Sequence, residues 1–281
     1  MSPEGPFAPC PANPILTHRS TAGPVQNTGH GDLIQAPDGS WWLVFLGVRP
    51  KGGSPGYHSL GRETFLAPVT WQDGWPVVGQ ITDGPAWAEP VRDDFDSPRL
   101  HPRWISPRSR PPLDLGQSRL VLHGAGEDAM DSRVPSFVGR RQQHPYARVR
   151  AHADGAGGLA VRMDERHHYE VEIRDGMIRA QARIGGLRQV LGQHARPAGP
   201  TVLRLEILPV DAATAANRVT LDPDQIRLGF EQDGEFTVLA ELDGRYLSTE
   251  VTGGFTGRVI GVYAAAGTAS FDWFDYEALP G

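Results

Sequence analysis

Apolar and polar positions alternate over short stretches of this chain, and glycine, proline and aspartate divide the stretches from one another. Asp32-Leu33-Ile34-Gln35 runs into Pro37-Asp38-Gly39, a turn signal because Asp bonds its own backbone and Gly accepts a positive φ. Trp41–Val48 is then a nearly unbroken apolar run, too short to span a bilayer and rich in β-formers, so a hairpin with one deeply buried strand is predicted. In a second unit, Glu63-Thr64-Phe65-Leu66 alternates, Pro68 ends the pattern, and Asp73-Gly74 turns into Trp75-Pro76-Val77-Val78. Short antiparallel strands at this spacing predict propeller blades or a sandwich.

Around 80–92 the stretch ITDGPAWAEPVRDD mixes Gly, Pro and charge without strand periodicity and reads as a linker. After it, strand patterns recur at 120–123, 146–151, 158–163, 169–173, 177–184, 187–190, 201–208, 225–230, 236–242, 258–264 and 269–276. Asp175-Gly176, Asp233-Gly234 and Asp243-Gly244 supply turns between several of them, which predicts a two-sheet jelly roll. The 34 glycines and 25 prolines favour turns and short strands, and no amphipathic helix of three turns is legible. The prediction is an all-β protein of two domains, 1–90 and 91–281.

Composition narrows the partners. A net charge of −6 leaves no basic footprint, so nucleic acid and an anionic membrane surface are poor partners and an uncharged ligand fits. A single cysteine, Cys10, forms no internal disulfide, and no basic stretch followed by an apolar one opens the chain. The expectation is a cytoplasmic protein with Cys10 a bystander thiol in a loop.

The ordered segments NPILTHRS, TGHGDL, DGSWWLVFLG, LGRETFLAPVTW and DGWPVV resemble the last part of the five-bladed propeller of glycoside hydrolase family 43, in its β-xylosidase and α-L-arabinofuranosidase branch. DDFDSPRLHPRW, FVGRRQQH, HHYEVEI, GGFTGRVIGVYA and FDWFDYEAL resemble the concanavalin A-like β-sandwich appended in that branch. The resemblance implies a partial propeller over 1–90 and a sandwich over 91–281. At roughly 40 to 50 residues per blade, only about two blades fit before the linker. Such a partial ring leaves a sheet face to be covered by another segment or chain, and the N-terminus reads as cut.

The resemblance also implies inverting hydrolysis by an Asp base, a second Asp that tunes the acid, and a Glu acid, all on strands that precede this stretch. The chain is therefore expected to hold no catalytic residue and to be inactive alone. Glu4 is a trap: Glu4-Gly5-Pro6 echoes the acid's motif, but its Pro-rich continuation places it after the acid, as a solvated loop carboxylate. His30, in the TGH-Gly-Asp motif, is implied as active-site support near the ring axis, where calcium is possible in a complete propeller. Outside a ring it reads as a core histidine bonded to backbone.

Arg62 matches an arginine of the family's sugar subsite, and its five fixed donors suit paired hydroxyls. Its neighbour Glu63 points to the opposite face of a strand and is an unsuitable partner. Phe255, in GGFTG, matches an aromatic loop of the sandwich that closes the family's pocket, and core packing is the equal rival. Trp41, Trp42 and Trp75 read as packing. Gly52-Gly53-Ser54-Pro55-Gly56 imitates a nucleophile elbow, but Pro55 has no N–H for an oxyanion hole. His167 and His168 fall on opposite strand faces, and Asp93, Asp94 and Asp96 make only a weak calcium pattern.

The partners implied are xylo- or arabino-oligosaccharides, and a separate N-terminal propeller half or a second copy to cover the open ring edge. A carbohydrate-binding accessory module and one half of a split glycosidase remain the alternatives.

Overall fold

The structure is a computed structural model and describes residues 4–81, 91–126, 129–199, 201–210 and 222–280. Residues 82–90 of the expected linker lie outside the described residues. The chain divides into two compact units, Met1–Pro50 with Arg62–Trp87, and Lys51–Gly61 with Ala88–Gly281.

In the first unit β1 (Gln26–Gln35), β2 (Trp41–Val48), β3 (Glu63–Gln72) and β4 (Trp75–Val78) form one antiparallel meander in sequence order. The predicted turn holds β1 to β2: Asp38 Oδ1 accepts from the Ser40 N–H at 2.9 Å and from its hydroxyl at 2.7 Å. Alternation then sorts the two faces. Leu43 opposite Ala67 and Phe45 opposite Phe65 line the buried face, the two rings stacked 5.9 Å apart over a core completed by Val25 and Val69. On the other face Ile34 lies across from Trp42, and Val44 from Leu66. That face is apolar yet open, with Ile34 48% and Leu66 44% exposed.

Length allowed about two blades, and one four-stranded sheet is present among the described residues. Residues 4–25 carry no strand. Pro6, Pro9, Pro11, Pro14 and Pro24 lack the N–H that a ladder needs. Trp41 packs edge-on against Trp71 at 5.4 Å, and Trp42 Nε1 donates to Ser40 Oγ, so both serve structure as expected.

The second unit is a two-layer sandwich made of β5 (Val91–Asp93), β6 (Leu113–Leu115), β7 (Leu120–Ala125), β8 (Phe137–Arg141), β9 (Ala147–Asp164), β10 (His167–Arg174), β11 (Met177–Ile184), β12 (Leu187–Ala195), β13 (Thr201–Leu208), β14 (Gln225–Gln232), β15 (Glu235–Asp243) and β16 (Val259–Ala278). The long strands β9 and β16 pair along both of their halves. The C-terminal half of β9 continues into β10, β11 and β12, with β8 on the far side of β16. Its N-terminal half continues into β13, β14 and β15, with β5 and β7 beyond β16.

The passage between layers is a corner at Gly155 and Gly267, with φ of 85° and 83°. A Cβ on Gly155 would lie 2.4 Å from the Thr268 carbonyl oxygen, so the close strand approach admits only glycine there. The pattern at 146–151 and 158–163 is thus one bent strand, as is that at 258–264 and 269–276. Glycine breaks the apolar periodicity at the bends without ending the hydrogen-bond ladder.

Val161, Tyr169, Val171 and Ile173 of one layer close against Val149, Leu203, Leu205, Leu228 and Phe230 of the other. Each such burial contributes roughly 1.5–3 kcal/mol. A second apolar cluster, with Met130, Phe137, Ala160 and Tyr263, covers the outer side of the first layer. At one end Arg258, fully buried, donates to both oxygens of Asp224 at 2.6 and 3.0 Å and to the carbonyls of Leu247 and Gly244.

Removing one member of a buried ion pair leaves a charge without compensation. Asp224→Ala is expected to lower the unfolding free energy by about 3–5 kcal/mol in urea titration, and Asp224→Ala with Arg258→Met by less than the sum of the single changes. Strict additivity would show that the pair acts independently of its partner.

Candidate functional site

His30 sits where β1 departs from regular pairing, between register shifts at Gln26/Gly29 and Gly29/Asp32. Its φ is 54°, in the left-handed region that a non-glycine residue enters at a cost. The side chain is exposed, and no hydrogen bond of its ring occurs among the described residues. The expectation of a backbone-bonded core histidine is therefore corrected: two bulges turn His30 outward. No group of three or more His, Cys, Asp or Glu among the described residues is placed to hold a metal ion. His30 by itself does not make a calcium site.

Arg62 immediately precedes β3 and is half-buried. Glu63 is committed elsewhere: Arg49 grips it with two parallel bonds, Nε to Oε2 at 2.9 Å and Nη2 to Oε1 at 2.5 Å. Arg62 itself lies just outside the strand, so the alternation of strand faces expected to part it from Glu63 does not govern it. Phe255 follows a single helical turn, Thr249–Thr252, and two glycines with φ of 75° and 81°. It is 69% exposed, which removes core packing as its role.

The remaining described carboxylates of the first unit are not arranged as an acid and base pair. The Ser40 hydroxyl and N–H hold the Asp38 carboxyl below its ordinary range. Glu4 is exposed in a turn, Asp73 occupies the β3–β4 turn with φ of 52°, and Asp32 is exposed on β1. Glycoside hydrolysis needs two carboxyl groups facing each other across a bond, and the described residues of this unit supply no such pair.

The second unit holds the strongly perturbed groups, and they are buried on β10. His168, Glu170 and Glu172 share the face opposite Tyr169, Val171 and Ile173. His168 Nε2 lies 3.1 Å from Asp131 Oδ1. Its Nδ1 lies 2.5 Å from Glu170 Oε1, an ion contact without hydrogen-bond alignment. Gln181 donates to Glu170, and the Tyr263 hydroxyl donates to Glu172 at 3.2 Å. Burial opposes charge on His168, but Glu170 and Asp131 outweigh it and push the ring up to about 9. Burial likewise raises Glu170, and His168 more than reverses this, holding it low. Glu172 is raised to about 7 by burial and by the Glu170 charge beside it.

The cluster is sealed beneath Met130 and Phe137, so it is structural rather than a substrate site. The period-two string His168-x-Glu170-x-Glu172 is its sequence signal. His167 indeed faces the other way, onto Asp164. Asp93 accepts from the Phe95 N–H and Trp104 Nε1, a structural use of that acidic run. A recess of about 670 Å³ lined by Arg92, Asp96, Arg99, His101 and Arg103 contains none of His30, Arg62 or Phe255.

Known proteins match both units. Residues 92–277 match the beta xylosidase C-terminal concanavalin A-like domain, and residues 1–76 match glycosyl hydrolases family 43. The chain is 36% identical to a non-reducing end α-L-arabinofuranosidase of Bacteroides ovatus, over 99% of this chain and 56% of that protein. A xylosidase/arabinosidase of Butyrivibrio fibrisolvens is 30% identical, over 96% and 56%. Among solved structures, a family 43 protein of Bacillus licheniformis superposes with a TM-score of 0.84 at 28% identity, over 99% of this chain and 58% of that one. The chain thus spans less than three fifths of the length of these relatives.

Linkage fixes a pH dependence for the second unit. Glu172 is raised, so folding favours its protonated form and the penalty for ionising it builds between about 4.5 and about 7. His168 is raised, so its contribution is present below about 6.5 and lost as pH rises through about 9. Both trends lower stability with rising pH, and the melting temperature is expected to peak near pH 5 and fall towards pH 9. Glu172→Gln should flatten the fall between pH 5 and 7, with a gain of about 2–3 kcal/mol at pH 8. A flat profile in the unmodified chain would refute the assignment.

Proposed function

From the premise that this chain belongs to glycosyl hydrolase family 43 and carries its β-xylosidase C-terminal concanavalin A-like domain, we propose that it is the C-terminal portion of an inverting glycosidase acting on β-xylosides or α-L-arabinofuranosides. The relatives' names support this substrate class. The observation that carries the reading is the blade of the first unit, whose outer face with Ile34, Trp42, Val44 and Leu66 is apolar and open. Such a face is an interaction surface, and further propeller blades are its natural cover. Those blades would bring the Asp and Glu residues that cleave the bond.

In this reading Arg62 and Phe255 recognise the sugar. The guanidinium offers paired donors to neighbouring hydroxyls, and the aromatic ring offers a face to the C–H side of a pyranose or furanose. His30 supports the catalytic carboxylates of the other blades from its strained position, by hydrogen bond or through water. A second reading, a non-catalytic carbohydrate-binding module, draws on the exposure of Phe255.

The purified chain is expected to show no turnover of 4-nitrophenyl β-D-xylopyranoside or α-L-arabinofuranoside, and clear turnover would overturn the proposal. Co-expression with the N-terminal segment that precedes the matched region in the Bacteroides ovatus relative should restore turnover. In that complex Arg62→Ala should lower kcat/KM by about tenfold to a hundredfold, the worth of one or two lost hydrogen bonds. Millimolar binding of xylotriose by the chain alone, lost in Phe255→Ala, would favour the module instead.

A further inference from the structure

The stretch Lys51–Gly61 connects β2 to β3 in sequence but packs within the second unit. It opens as a closed loop, with Lys51 and Tyr57 exchanging backbone hydrogen bonds at 2.8 Å. The residues that follow lie along the segment between residues 249 and 258. The His58 N–H donates to Glu250 Oε2 at 2.9 Å, and its Nδ1 lies 2.5 Å from Oε1 of the same carboxylate. The Thr249 N–H donates to the His58 carbonyl at 3.2 Å, the Arg258 N–H donates to the Ser59 carbonyl at 2.8 Å, and Gly61 bridges Thr256.

The backbones touch directly. A Cβ on Gly257 would fall 2.2 Å from the Leu60 carbonyl carbon, and one on Gly61 would fall 2.2 Å from the Gly257 nitrogen. His58 and Ser59 are 8% and 7% exposed. The loop is therefore fixed at both ends: Glu250 is held by His58, and Arg258 by Ser59 and by its buried pairing with Asp224. Between these anchors lie Gly253 and Gly254, the most permissive pair a backbone can contain.

We propose that residues 58–61 act as an internal clamp on the loop 249–258, with His58, acting through Glu250, as the positioning residue that presents Phe255 in one conformation. His58 needs only a donor at Nδ1 for this. Its Nε2 is buried and makes no hydrogen bond among the described residues, so Nδ1 is the ring's only anchor. The consequence for sugar recognition rests on the role proposed for Phe255, whereas the clamp itself does not.

Amide hydrogen exchange of the full chain, read by mass spectrometry, tests it. His58→Ala should speed exchange of amides 250–257 by about tenfold, the effect of losing one charge-assisted bond, and Glu250→Ala by at least as much because it also loses the bond from the His58 N–H, while β10 and β13 keep their protection. The double variant should be no faster than Glu250→Ala, and His58→Asn, which keeps a donor near Nδ1, should stay within about threefold of the unmodified chain. Glu250 has a 27% exposed side chain, so Glu250→Ala reads the clamp even where His58→Ala disturbs folding. Unchanged exchange at 250–257 would overturn the proposal, and so would equal acceleration across β10 and β13, the mark of a general staple. A Phe255→Ala chain that binds xylotriose as well as the unmodified one would remove the sugar role and leave the clamp standing.

Discussion

A sheet is stable only when its apolar face meets another layer, and in the second unit the two layers are made inseparable by β9 and β16, which belong to both. Side chains in a strand alternate faces, so a slip of one residue would exchange core and surface along the whole strand. β9 keeps one parity throughout: Val149, Ala151 and Ala153 face inward before the corner, and Leu159 and Val161 after it. β16 does not. Ile260, Val262 and Ala264 point inward, then Ala269 and Phe271, then Phe274 and Tyr276, with irregularities between 264 and 269 and between 271 and 273 restoring the core each time. The bulges let a strand that bends with its neighbour keep its apolar residues inside.

With the interior filled, polar side chains that share these strands are covered only where each has a partner. On β10 the even positions carry a histidine and two glutamates beneath Met130 and Phe137, and the imidazolium between Glu170 and Asp131 permits Glu170 to remain charged there. Glu172 has only the longer Arg174 contact at 3.8 Å and the Tyr263 hydroxyl, and burial beside the Glu170 charge raises it to about 7. At the opposite extreme Arg258 is wholly buried and satisfied by Asp224 and two carbonyls. A buried ion pair gives little net stability over an apolar pair, yet the loss of either member is costly. These groups therefore fix which arrangement of the loops is allowed.

Local signals carried a large part of this architecture. Asp38-Gly39, the alternation of β3 and the aspartate-glycine turns all act within a few residues, and they mark most of the strands they delimit; Pro68 is expected to end its strand, but β3 runs through it to Gln72, with Pro68 opposite Trp42 of β2. What local pattern could not carry was continuity and distant pairing. Gly155 and Gly267 look like strand ends and are corners. Nothing in KGGSPGYHSLG marks residues 249–258 as its partner, because His58 and Glu250 are 192 positions apart and meet only through tertiary packing. The exposure of Phe255 was undecided for the same reason: an aromatic between glycines is compatible with a core or with a surface until its surroundings exist. The exposure of His30 is not legible in its motif, because the bulges that turn it outward arise from pairing with β2.

The first unit then poses a question of recognition against cleavage. Among its described carboxylates, Glu63 is spent on Arg49, Asp38 on its turn, and Asp73 sits in a second turn. Its unspent features are an apolar sheet face and a histidine held in a costly backbone conformation. Strain of that kind persists only where surrounding structure over-determines it, and an exposed apolar face marks an interaction surface. Both lie on the same sheet, so among its described residues the blade offers an exposed apolar surface and no paired acid and base.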